Sequence, residues 1–171
     1  MHDHTQIQQH LLGSNEQFPN NPKLPLLLYL QAVILESANP ATLFERLFNT
    51  HQWGNGWRSD VYGFHHYHST AHEVLGVYRG QAKLQFGGDN GIQVAVKAGD
   101  VVLIPAGVAH KKLCSNGEFA VVGAYPVGQS WDMCTGKAGE RPQADHNVAS
   151  VPLPEADPVL GQQGGLAIHW Q

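Results

Sequence analysis

His66-Tyr67-His68-Ser69-Thr70-Ala71-His72-Glu73, running on through Val74-Leu75-Gly76-Val77-Tyr78-Arg79-Gly80, decides how this chain folds once it is set beside Gly99-Asp100-Val101-Val102-Leu103-Ile104-Pro105-Ala106-Gly107-Val108-Ala109-His110. The second stretch is a glycine, proline and glycine framework that predicts a strand, a tight turn and the start of another strand. If the two stretches pair in one barrel, His66, His68, His110 and Glu73 offer three imidazoles and one carboxylate to a single metal ion.

Side chains alternate faces along a strand, so His66 and His68 point the same way and two imidazoles can approach one ion. Glu73 has the opposite parity to His68, and Ser69-Thr70-Ala71 must therefore contain a turn or bulge that changes the face. His72 keeps the parity of His68 and rivals Glu73. Glu73 is preferred because Glu73, Leu75 and Val77 form one apolar-backed face, and because a carboxylate neutralises part of a divalent charge. His72 is then an alternative ligand, a hydrogen-bond partner of the ligands, or a catalytic acid and base. His65 should face the other side, where a structural hydrogen bond is expected.

These residues resemble the two signature motifs of the cupin superfamily. His66, His68, Glu73 and Gly80 meet the first, although Asp60 stands at its leading glycine; Gly99, Pro105, Gly107 and His110 meet the second, although Cys114 stands where that motif usually ends in Asn. Trp53-Gly54-Asn55-Gly56-Trp57, the run from Phe64 to Gly76, and Val122-Gly123-Ala124-Tyr125-Pro126 are similar to the small bacterial single-domain cupins of the YjlB type, from about Pro22 to about Leu160. The resemblance implies an RmlC-like double-stranded β-helix, that is, a jelly-roll barrel, with a metal site. It names no substrate.

Composition agrees with an all-β domain. The 171 residues suit one domain, and charged residues make up only 14% of the chain while Gly numbers 19 and Pro 10, a turn-rich profile. Ten Lys and Arg against fourteen Asp and Glu give a formal charge of -4, and only Lys111-Lys112 are adjacent, so no nucleic-acid footprint is present. No membrane span or export signal is read, and a cytoplasmic location is expected. Cys114 and Cys134 are expected as free thiols, with Cys114 buried or lining the pocket.

Residues 1–21, rich in Gln, Asn and His, predict a flexible N-terminal arm. Residues 22–130 predict the barrel with an N-terminal strand over Leu26–Leu35 and one short helix at Ala41–Phe48, where Leu43, Phe44, Leu47 and Phe48 have helical spacing and Asn39 caps ahead of Pro40. Short strands are predicted at 82–86, 92–96 and 119–122 between clear turn signals. Residues 131–171, with Pro152, Pro154 and Pro158, predict an extended C-terminal arm lying on the barrel or on a partner in a homodimer. His2, His4, His10, His51, His146 and His169 are expected to be solvated. Trp53, Trp57, Tyr62 and Phe64 are expected in core or rim packing.

A divalent ion beside Glu73 keeps net positive charge, which attracts an anionic oxygen of a small molecule, and four protein ligands leave positions open. The expectation is a metal-dependent enzyme of oxygenase type acting on a small organic anion. Alternatives are a metal-dependent isomerase or epimerase, and a non-catalytic binder of a small molecule. Fe(II), Mn, Ni, Cu and Zn all suit the ligands.

Overall fold

The computed structural model describes residues 5–171. In chain order the elements are β1 (Gln6–Leu12), β2 (Asn21–Leu30), α1 (Pro40–Thr50), β3 (Trp53–Ser59), β4 (Glu73–Phe86), β5 (Ile92–Lys97), β6 (Val101–Ile104), β7 (His110–Pro126), α2 (Gln143–Ser150) and α3 (Gly165–His169). All strand pairs are antiparallel, in the order β1-β2-β6-β4-β7-β3, with β5 on the far half of β4. β4 and β7 pair along almost their whole lengths, from Val74↔Ala124 to Phe86↔His110, and their register shifts at three bulges between Val77 and Leu84. Bulges bend a strand and raise its twist. The sheet thereby folds over on itself into a jelly-roll barrel.

Both faces of the sheet are covered, which explains why its strands read as near-continuous apolar runs. Leu26, Leu28, Leu75, Val77, Val102 and Ile104 pack inside the barrel. Their neighbours Leu27, Tyr29, Val74, Val101 and Leu103 face the opposite way, onto a second core with Phe44 and Phe48 of α1, Trp53 and Trp170. On β4 this alternation turns Glu73 inward with Leu75 and Val77.

Helix α1 forms where its apolar spacing places it, with Pro40 at its first turn, but Asn39 makes no side-chain capping hydrogen bond. β2 begins earlier than expected and ends at Leu30, because Gln31 turns the chain with a φ of 48°.

Both predicted arms need correction, since each carries regular structure. His2 and His4 lie outside the described residues, but Gln6–Leu12 is not a loose arm: it pairs with β2 from Gln6↔Leu30 onward. Its ladder uses main-chain groups, and only Ile7 and Leu12 reach the cores, so no apolar period betrays it. The C-terminal segment is extended only in part. It includes α2, held by buried Ala144 and Val148, and α3, and it lies on its own barrel: Trp170 donates its indole N–H to the Pro25 carbonyl at 2.8 Å.

Asp157 fastens this segment. Buried, it accepts hydrogen bonds from the Tyr29 hydroxyl at 2.5 Å and from the Val159, Leu160 and Leu166 amides at 2.8 to 2.9 Å. Asp157→Ala leaves these buried donors without an acceptor and should cost about 3 kcal/mol or more. Urea unfolding measures the loss, and limited proteolysis should cut between Pro152 and Gly164 first.

Candidate metal centre

His66 and His110 are 44 positions apart in sequence and face each other across a two-residue bridge. The His66 amide donates to the His110 carbonyl at 3.1 Å and the His110 amide to the His66 carbonyl at 2.9 Å. A pair that exchanges both main-chain bonds sends its side chains to one face, and the two rings lie 4.1 Å apart between centroids. One turn away the Gly107 amide donates to the His68 carbonyl at 2.8 Å. Gly107 has a φ of +92°, and a Cβ there would stand 2.3 Å from the Asn20 carbonyl oxygen. Only glycine fits that turn.

The three imidazoles share one arrangement. Each Nδ1 lies against a carbonyl oxygen: Phe64 for His66 at 3.1 Å, Asp132 for His68, and Val108 for His110 at 3.0 Å. A carbonyl can only accept, so each ring carries a proton on Nδ1, and in its neutral form presents an Nε2 lone pair. One ligating nitrogen from each lies within 4.8 Å of the others. Facing them is Glu73, 3% exposed, whose Oε2 stands 3.1 Å from His68 Nε2 and 3.3 Å from His110 Nε2. That oxygen makes no well-formed hydrogen bond. Three histidines anchored through one nitrogen, with their other donors this close together, are compatible with binding a metal ion, and Glu73 stands beside two of them.

The electrostatics say the same. Burial, and then the His110 ring, push His66 down to about 3. Burial also works against charge on His68, but Glu73 and the Asp132 carbonyl outweigh it and raise its pKa. Burial alone would raise Glu73; His68 and His110 outweigh it and hold the carboxyl well below its usual range. The cluster is built around one buried negative charge and asks for one cation beside it.

His72 lies elsewhere. It shares the outward face of Val74, its Nδ1 accepts the Ala106 amide at 2.9 Å, and its ring packs 4.7 Å from Trp170. Burial pushes it down to about 4, with the Pro152 carbonyl opposing. It props up the Pro105-Ala106-Gly107 turn from behind and does not reach the cleft. The bend at Ser69 and Thr70 changes the face between His68 and Glu73. His65 turns away as its parity requires, with Nε2 2.8 Å from Asp89.

A cleft of 250 Å³ opens in front of the histidines. Trp57 forms one wall by lying flat on β7, where a Cβ at Gly123 would be 2.2 Å from its ring; its indole N–H donates to the Tyr125 hydroxyl at 2.9 Å, and that hydroxyl lies 3.5 Å from Glu73 Oε1. Burial first, then Glu73, raise the Tyr125 pKa, so it stays a phenol. Trp131 stacks on Tyr125 at 5.9 Å.

Trp131, Asp132 and Met133 escaped the reading of the sequence, because they follow Gly128, where periodicity stops. Their loop is tied down by main-chain bonds between Tyr67 and Cys134 and by Asp132, whose carboxylate takes both the amide and the hydroxyl of Ser69. A signal existed only in the Trp-Asp pair beside a strand end, too common to single out. Both cysteines are free, but Cys114 is exposed, neither buried nor in the cleft. It borders a larger surface groove of 1010 Å³ that holds none of the three histidines; chemistry, not size, marks the site.

Nitrogen-15 NMR of imidazole tautomers tests this geometry directly. In metal-free protein at pH 8, His66 should show a protonated Nδ1 and a bare Nε2, and His72 the reverse. The same tautomer at both positions would contradict the hydrogen-bond network.

Residues 59–120 match the family described as Cupin domain. Along nearly the whole chain, 165 residues covering 96% of it, the protein is 41% identical to "Uncharacterized protein YjlB" of Bacillus subtilis (strain 168), covering 97% of that relative. Among solved structures, procruciferin, the 11S globulin of Brassica napus, aligns with a TM-score of 0.39 at 18% identity over 67% of this chain and 23% of that one. RmlC from Streptococcus suis in complex with dTDP-D-xylose aligns at 0.38 and 14% identity over 71% and 70%. Likenesses this slight bear on neither ligand nor activity. Motifs, barrel and full-length relative agree, and the chain belongs to the small bacterial YjlB-like cupins.

Proposed function

We propose that His66, His68, His110 and Glu73 hold one divalent transition-metal ion and that the protein is a metal-dependent enzyme of oxygenase type acting on a small organic anion. One observation supports this most: three Nε2 lone pairs, fixed by Nδ1 bonds to main-chain carbonyls, face a buried carboxylate oxygen without a donor. When bound, such an ion supplies Lewis-acid or redox chemistry to an oxygen ligand. The chain's own residues do the rest. Phe64, Val108 and Asp132 carbonyls orient the rings, Trp57 and Trp131 restrict water, and Tyr125 keeps a hydroxyl beside Glu73 as a hydrogen-bond donor to a bound oxygen.

The isomerase alternative needs an acid and base over the substrate. Of the two candidates for it, His72 and a pocket tyrosine, His72 is behind the sheet and Tyr125 lines the cleft. A purely binding role is the remaining alternative. Two unpaired thiols suit the reducing interior of a cell, and among the described residues no helix is long and apolar enough to cross a membrane. A homodimer is also proposed, supported by β1, a sheet-edge strand with exposed Leu11; sedimentation should give a dimer at micromolar concentration, and only monomer would remove it.

Elemental analysis of freshly purified protein should find one transition ion per chain, and a His66→Ala, His110→Ala double variant should retain about a tenth or less. Added ion at a hundredfold its Kd should stabilise the wild type by about 2.7 kcal/mol and the variant not at all. Trace metal and no stabilisation by Fe, Mn, Ni, Cu or Zn would refute the site. Oxygen uptake with small organic acids supports the oxygenase; turnover without oxygen supports the isomerase, and retention without conversion in air the binder.

A further inference from the structure

The cleft in front of Glu73 is small and largely aromatic, and the charged side chains among its described lining residues, Asp60 and Glu73, are both acidic. At 250 Å³ it falls below the range of roughly 300–1,000 Å³ typical of sites for drug-sized ligands. Among its described lining residues there is no lysine or arginine. Lys112 is ion-paired with Asp60, one of the lining residues. A phosphate or a second carboxylate would therefore enter without the cationic partner that such groups require.

The mouth is apolar to an unusual degree. Tyr62, Trp131 and Met133, which line the cleft, are 53%, 47% and 42% exposed, and Phe64, 49% exposed, packs against Tyr62 and His66 beside it. Tyr62 stacks on Phe64 at 4.8 Å and meets the His66 ring edge-on at 5.2 Å, while Trp131 meets the His68 ring edge-on at 5.5 Å. Single exposed apolar side chains are ordinary; a cluster around a polar cleft marks a binding surface. The rings are also held in place, since Tyr62 leans on Phe64 and Trp131 on Tyr125, so little order is lost when a ligand lands.

We propose that the site takes a small monoanion whose oxygens reach the histidine and glutamate end and whose body is flat and apolar, such as an aryl-substituted 2-oxo or 2-hydroxy acid, and that it rejects phosphorylated, nucleotide and dicarboxylate compounds. The proposal rests on the metal reading above, because the ion is the positive charge that receives the anion. Trp131 supplies the selectivity for the flat body.

Calorimetry on protein loaded with Ni²⁺, its stoichiometry measured first, tests this with phenylpyruvate, pyruvate and phosphoenolpyruvate as probes. Phenylpyruvate should bind at least about tenfold more tightly than pyruvate, and phosphoenolpyruvate more weakly than either. Trp131→Ala should bring phenylpyruvate and pyruvate within about threefold of each other while leaving Ni²⁺ stoichiometry unchanged, and Trp131→Phe should restore most of the difference. Stoichiometric Ni²⁺ with equal binding of the two acids, with tightest binding of phosphoenolpyruvate, or with no binding at all overturns the ligand class and leaves the metal reading standing. Selectivity that survives Trp131→Ala overturns the role of Trp131. Absence of bound Ni²⁺ in the wild type overturns both readings.

Discussion

A pair of main-chain hydrogen bonds between His66 and His110 is the constraint on which the rest depends. It joins two segments that are distant in the chain, fixes them opposite one another, and sends both rings to one side. The Gly107 to His68 bond extends the alignment by one turn and brings in the third ring. Because Gly107 lies where a side chain would strike the Asn20 carbonyl, the turn cannot shift without breaking the pairing.

What that alignment surrounds is costly to bury. Glu73 is a carboxylate inside an apolar barrel, in line with Leu75 and Val77, and one of its oxygens has no hydrogen-bond donor. An unpaired buried charge costs several kcal/mol, and His68 and His110, 3.1 and 3.3 Å away, offset this one. A proton drawn toward His68 meets the charge in part. A metal ion held as proposed would meet it through all three imidazoles at once. His72, one position earlier, faces the other core because strand parity allows no intermediate choice. It serves the site by holding the Ala106 amide from behind.

The site was largely legible in the sequence because its signals are local and strict. His66 and His68 share a face by spacing, the Gly99 to His110 framework announces a strand and a turn, and the apolar spacing of Leu43, Phe44, Leu47 and Phe48 gives α1. Parity alone left His72 open beside Glu73, which was preferred for the apolar face it shares with Leu75 and Val77, since only tertiary packing shows which face of β4 meets which core. β1 was hidden because an edge strand can be held by its main chain with only two apolar anchors. α2 has two buried residues one turn apart, too few to reveal a period, and Trp131 and Asp132 owe their places to a loop whose hydrogen bonds run to Ser69 and Tyr67. Such long-range bonds leave no trace in local pattern.

The most direct measurement is anomalous diffraction from crystals grown with cobalt or zinc. The account predicts one strong peak inside the barrel, bonded to the Nε2 atoms of His66, His68 and His110 at about 2.0–2.1 Å and to a Glu73 oxygen at about 2.0–2.2 Å. A peak confined to surface histidines, or imidazoles whose Nε2 atoms stay beyond coordination reach with the ion present, would contradict it.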